Sequence, residues 1–346
     1  MIRQKYPRLG VGTICGLFGK TRNAFYDHQR RATAQALLEG LVLALMTDIR
    51  RDLPRLGTRK LYYLLVPRLG EYASQLGRDA LFALLAGHGL LIRRRKRRVV
   101  TTQTCPILLR RPNLLDQLVI TRAEQVWVSD ITYVRLLTGW AYLSLITDLY
   151  SHKIVGACLH PDLSVRGTLT ALHQTLAARI QPQRPLIHHS DRGLQYAARD
   201  YVELLESHGV ALSMTQRGDP YENAVAERVN GILKDEFGLG GTLLGFPQAD
   251  ELVQRAVQAY NELRPHSSCD FLTPNQTHQR EGLLVRRWKN YYQPAATPTL
   301  TQAAREILPA IFPRCKVPSG LPARPVKRRP DYQLHLYSYS RTRHQT

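Results

Sequence analysis

From Val126 onward the chain carries three runs rich in β-branched and aromatic residues, VWVSDITYV, WAYLSLITDLY and KIVGACL, parted only by the short turns LTG and SH. Links that short suit antiparallel neighbours, and the runs are expected to form a three-strand meander. The helical stretch RGTLTALHQTLAARI then leads to a strand, PLIHHSD, and a second helical stretch, ARDYVELLESHGV, leads to another, ALSMTQ. The order βββαβαβα predicts an α/β fold built on a mixed sheet of five strands flanked by helices. A further helix is expected from about Asp250 to Leu263.

Three acids stand out against this frame. Asp130 falls in the middle of the first strand, where an ionised carboxylate is costly to bury without a cation or a hydrogen-bond donor. Asp191 closes PLIHHSD, and it comes within a few ångströms of Asp130 if the first and fourth strands are neighbours. Glu227 follows after thirty-five intervening residues, in the segment DPYENAVAERVNGILKDEF. On a helix, Asn223, Glu227, Asn230, Gly231 and Lys234 share one side, while Val225, Val229 and Ile232 lie opposite. Gly231 costs such a helix about 1 kcal/mol relative to alanine. Carboxylates brought together repel unless a divalent cation neutralises them, and oxygen-only ligands suit Mg²⁺ or Mn²⁺. Two such ions can drive an in-line displacement at a phosphodiester.

Charge supports that chemistry. With 48 Lys and Arg against 27 Asp and Glu, the net charge is +21, and a polyanion such as nucleic acid is the expected partner. VGTICGLFGKTRNAFYDHQRR reads as a helix, a glycine-containing turn and a second helix capped by Thr21. That helix-turn-helix pattern would offer Arg22 and Arg30 to DNA, together with Asn23, His28 and Arg31. The run from 91 to 111 holds Arg93, Arg94, Arg95, Lys96, Arg97 and Arg98 with no acid, and is expected to lie along phosphates without reading bases. Glu39 and Asp148 interrupt the two most apolar stretches, so no membrane span is expected, and MIRQKYPRLG lacks the apolar core of a signal peptide. Five scattered cysteines without a CxxC predict free thiols in a reducing cytoplasm.

The pieces VWVSDITYV, GWAYLSLITDLYSHKIVGACL, HHSDRGLQY, DPYENAVAERVNGILKDEF and YNELRPHSSCDFLTPNQ, in order over roughly residues 120 to 280, resemble the second-frame product of insertion sequences of the IS-three family. The resemblance implies a ribonuclease-H-like integrase core in which Asp130, Asp191 and Glu227 form a DDE metal centre and Lys234 contacts the DNA terminus. It also implies strand cleavage at an element end, strand transfer, assembly of at least a dimer, and a possible first-frame protein or fusion partner. The implied organisation is a helical DNA-binding region over 1–90, a basic linker over 91–119, a catalytic core over 120–281 and a basic tail over 282–346. Such a protein would work in the bacterial cytoplasm at the nucleoid. Two rivals are a catalytically silent DNA-binding descendant of a transposase and a ribonuclease-H-like nuclease that does not join strands. Asp148 is expected to be structural, Glu222 to be helix-start charge, His189 to be packed, and Trp127 and Trp140 to be core. The stretch from Tyr260 to His266 is expected to pack the last helix.

Overall fold

A computed structural model describes residues 9–92, 111–115, 118–215 and 223–284. Arg93 to Arg98, Glu222 and nearly all of the tail from 282 lie outside the described residues.

The five expected strands form, and a sixth joins them. They are β1 (Val126–Leu136), β2 (Gly139–Asp148), β3 (Ile154–His160), β4 (Leu186–Ser190), β5 (Val210–Met214) and the two-residue β6 (Thr242–Leu243). The spatial order is β3-β2-β1-β4-β5, with β6 paired to the far end of β1. Pairing is antiparallel from β1 to β2 and from β2 to β3, and parallel from β1 to β4 and from β4 to β5. This is the mixed ribonuclease-H-like sheet. The switch from antiparallel to parallel falls at β1 because the first two links are short turns, whereas helices α5 (Val165–Ala177) and α6 (Arg199–Ser207) make the later crossovers.

Alternation along the strands feeds two cores. Trp127 and Ile146 pack with Leu172, Tyr201 and Leu205 from α5 and α6 on one face. Val134, Leu143 and Leu145 pack on the other face, with Ile232 and Leu233 from α7 (Ala224–Glu236) and Val253 and Tyr260 from α8 (Phe246–Glu262). Each fully buried side chain of this size contributes about 1.5–3 kcal/mol of transfer free energy. Gly156 on β3 is required by α5: a Cβ there would stand 2.0 Å from Thr175 Oγ1 and 2.6 Å from the Ala171 carbonyl oxygen. Trp127 is core as expected, but Trp140 is 51% exposed. It opens β2 next to the turn, where it packs edge-on to Tyr133 and lies under the Arg135 guanidinium.

The N-terminal part contains α1 (Val11–Leu17), α2 (Arg22–Asp52), α3 (Thr58–Leu69) and α4 (Arg78–Gly87). Thr21 caps α2 as its sequence suggests, accepting the Ala24 amide. The helix then runs for 31 residues, straight through Gly40 and well past Arg31, where the helix-turn-helix segment read from the sequence ends. A single glycine costs a helix about 1 kcal/mol, which flanking leucines and alanines outweigh. An eighteen-residue window of α2 has the length and hydropathy of a membrane-crossing helix, correcting the expectation that Glu39 prevents one. Val42, Met46 and Ile49 of this helix are buried with Leu61, Leu65, Leu81 and Leu85, in the same hydrophobic cluster that continues into the sheet. Tyr63 stacks on Phe271 at 4.9 Å between ring centroids, tying α3 to the segment that follows α8.

Candidate active site

Parallel pairing of β1 with β4 places Ser129 opposite Ser190, so Asp130 and Asp191 are the next residues along two adjacent strands. Asp130 is held by two donors: its own strand's Ile131 amide at 2.9 Å and Asn230 Nδ2 at 2.7 Å. Burial, then the neighbouring Asp191 and more weakly Glu227, push its pKa up to about 7 against these donors. Burial also raises Asp191, offset by the Gly193 amide that donates to its Oδ1 at 2.9 Å. Gly193 fits tightly, since a Cβ there would meet Asp191 Oδ1 at 3.0 Å. Tyr196, buried beneath, has its hydroxyl pushed far up by burial, by Tyr201 and by both aspartates.

Helix α7 brings the third acid. Asn223 Nδ2 donates to the Ser129 carbonyl at 3.1 Å, and Asn230 Nδ2 reaches Asp130, so two amides two helical turns apart fasten α7 to β1. Glu227 lies between them on the same helix. Asn223 and Asn230 are 7% and 5% exposed, so these two polar positions face the sheet, while Glu227 between them stays exposed. The spacing of 223, 227 and 230 was visible in the sequence; the inward direction of the two asparagines was not. Lys234 continues the same side. Burial lowers its pKa, while the negative charges of Asp130 and Asp235 pull it back up.

Asp130 and Asp191 are therefore brought together, and Glu227 stands across from them, exposed, within electrostatic range. Among the described residues no three His, Cys, Asp or Glu side chains converge closely enough to enclose one ion, and no salt bridge reaches any of the three acids. Two mutually repelling, partly buried carboxylates that no salt bridge neutralises among the described residues have the donor chemistry of a hard divalent cation site. Arg22 and Arg30 are exposed on α2, with Arg30 only 3.9 Å from Asp27. Among the described residues nothing joins them to the acids.

Asp148, His188 and His189 are buried in hydrogen-bond networks of the sheet. Asp148 is fully buried and accepts from the Glu124 amide and from the Ser151 amide and hydroxyl. His189 packs at 0% exposure against the Ser213 hydroxyl. His188 bridges Ser129 and Tyr201, and burial and its neighbour His189 depress it to about 3, so the ring is neutral. The stretch from Tyr260 to His266 has a definite task. Tyr260 donates to the His152 carbonyl, Asn261 pairs with both the amide and the carbonyl of Ile154, and Arg264 grips Glu236 at the end of α7 through bonds of 2.8 and 2.7 Å. Sequence alone offered no partner for Arg264, because Glu236 belongs to another helix.

Two integrase core domain models match the chain, over residues 120–220 and 208–274. The insertion element IS600 31 kDa protein of Shigella sonnei is 33% identical over 266 residues, spanning 75% of this chain and 96% of its own. The transposase for insertion sequence element IS629 of the same organism is 29% identical over 242 residues (67% and 78%), and transposase InsF for insertion sequence IS3A of Escherichia coli strain K12 is 35% identical over 166 residues (47% and 57%). Among solved structures, the HTLV-2 integrase catalytic core in complex with magnesium aligns with a TM-score of 0.37 at 20% identity, over 45% of this chain and 97% of that one. An integrase-core match and an extended match to insertion-element proteins lead to one conclusion: the chain belongs to the IS-three family of insertion-sequence transposases, DNA-acting polynucleotidyl transferases with an integrase-like core.

Proposed function

We propose that Asp130, Asp191 and Glu227 are the metal-binding acids of this transposase, that they hold two Mg²⁺ or Mn²⁺ ions, and that Lys234 contacts the phosphate of an element end. The observation that carries this reading is the side-by-side placement of Asp130 and Asp191 on β1 and β4, with α7 fastened beside them by Asn223 and Asn230. Divalent ions bound there would neutralise the acids and the reacting phosphate and lower the pKa of an attacking hydroxyl. The chain's own residues orient the reaction. Ile131 and Gly193 amides fix the two aspartates, the asparagine clamps fix the helix of Glu227, and Lys234 places the DNA strand. Water attacks one phosphodiester at the element end and expels a 3′-hydroxyl, leaving the phosphate on the other strand fragment. That 3′-oxygen then attacks a second phosphodiester, loses its proton and displaces another 3′-hydroxyl, so strands are joined without a protein-bound intermediate.

The cleavage and joining of two ends implies a homo-oligomeric synaptic complex acting on element ends and target DNA in the cytoplasm, at the nucleoid. A first-frame protein, or a frameshift fusion to it, is the proposed source of additional end recognition.

Supplying a pre-cut element end, a target duplex and Mg²⁺ tests the reading against its rivals. A joined product is expected; a nuclease would give only shortened strands, and a silent DNA-binding protein would give neither. In the same assay Lys234→Ala should weaken binding of the end about tenfold or more, the worth of one charge-assisted phosphate contact, with metal affinity retained. Unchanged end binding would remove Lys234 from the DNA interface.

A further inference from the structure

A second feature of the molecule lies beside the acids. Between α7 and the helices α3 and α4 is a cleft of about 960 Å³, lined on one wall by Arg55, Arg59 and Lys60 and on the other by Arg228. Gly231 forms part of its surface, one helical turn beyond Glu227, and the adjoining residue of Glu227 is Arg228 itself. The cleft thus shares α7 with Glu227, although none of the three acids lines it, and it runs toward the N-terminal helices.

Its charge is unbalanced in one direction. Asp235 and Glu236 also line it, but Glu236 is already committed to Arg264. Arg59 and Arg228 are exposed, and no ion pair binds either to a carboxylate among the described residues. Lys60 is mostly buried, and its ammonium lies 3.9 Å from Glu236. Burial, then Arg264 and Arg228, lower the Lys60 pKa to about 7 against the pull of Glu236. Cations gathered in a concave site on the helix that carries Glu227 call for a polyanion that neutralises them.

We propose that this cleft is a phosphodiester-binding channel, in which Arg55, Arg59, Lys60 and Arg228 take successive backbone phosphates of the DNA strand leading away from the catalytic acids. The inference rests on the transposase reading of the acids and extends it: the N-terminal helices form one wall of the path to the active site. Contacts to phosphate alone would hold any sequence, so the channel positions the strand rather than selecting it.

The test measures binding of the full chain to duplex DNA in EDTA, where no cleavage occurs, as a function of salt. Arg59→Gln/Arg228→Gln should bind at least tenfold more weakly at moderate salt, and its slope of log K against log[salt] should be shallower by about 1.8, at about 0.9 for each phosphate that is no longer neutralised. Both side chains are exposed, so the melting temperature should not change. Duplexes carrying one neutral methylphosphonate give the second readout: specific positions should weaken wild type and cause no further loss in the double variant. An unchanged salt slope, or methylphosphonate effects that simply add to the double variant's loss at every position, would overturn the channel. Neither readout uses the metal centre, so the channel can fail while the acids stand, and the acids can fail while the channel stands.

Discussion

Asp191→Asn should lower Mg²⁺-dependent cleavage of an element end by about a thousandfold or more while leaving the fold at least as stable. The rate effect follows from the metal's role: an ion that neutralises developing charge supplies several kcal/mol, and about 4 kcal/mol corresponds to a factor of a thousand. The stability effect has the opposite sign. Asp191 is one of the charges that raise Asp130, so removing it relieves repulsion between two partly buried carboxylates. Asparagine also keeps an oxygen for the Gly193 amide, which now donates to Asp191 Oδ1. A variant that is inactive because it is unfolded would lose its melting transition; this one should retain or raise it. Denaturation midpoints in EDTA, measured beside cleavage rates, separate the two. Cleavage that survives the substitution would remove Asp191 from the metal site.

Arg264→Ala should be the most destabilising single change outside the hydrophobic cores. The guanidinium is 1% exposed, forks onto both oxygens of Glu236, bonds His266 Nε2 and lies over the Tyr260 ring. Breaking a buried pair from one side typically costs about 3–5 kcal/mol. Glu236 keeps Lys60 at 3.9 Å and some access to solvent, so the lower end applies, about 3 kcal/mol. For a domain of this size that lowers the melting temperature by about 6–12 °C. Arg264→Lys should recover little, because an ammonium cannot make the two parallel bonds.

The pH dependence of this loss identifies its source. Burial alone would raise Glu236, but the Arg264 hydrogen bond and charge, with Lys60, hold its pKa below the usual value of 4.5. A depressed carboxylate stabilises the folded state above its unfolded pKa and loses that contribution as pH falls through its folded value. The gap between wild type and Arg264→Ala should therefore be full at neutral pH and narrow below pH 4.5. A gap independent of pH would mean that Arg264 acts through packing alone.

Much of the fold was legible because the sheet writes itself into the chain with a period of two and short turns. Asp130 and Asp191 could be paired from sequence because parallel neighbours align the ends of VWVSD and LIHHSD. Glu227 was legible by spacing along its helix. What escaped the sequence required knowledge of a partner distant in the chain. Asn223 and Asn230 look like solvated polar residues until β1 is laid beneath them. Arg264 looks like one more surface cation in a basic chain until Glu236 arrives from α7. Trp140 looks like core by type, yet its place next to the β1–β2 turn leaves it at the edge. The length of α2 was missed because the helix-turn-helix reading stopped at Arg31, although the side chains that follow favour helix throughout. The basic cleft was invisible for the same reason as Arg264: Arg59 and Arg228 lie far apart in sequence and meet only when α3 docks beside α7.

The most direct measurement is a crystal structure of this protein with Mn²⁺ and an element-end duplex, locating the metal by its anomalous signal. Manganese is expected between the carboxylates of Asp130 and Asp191, with Glu227 in the coordination shell and the reacting phosphate against it. Manganese found elsewhere, or both aspartates engaged only by the Asn230 and Gly193 amides while DNA is bound, would contradict a metal centre built on these acids.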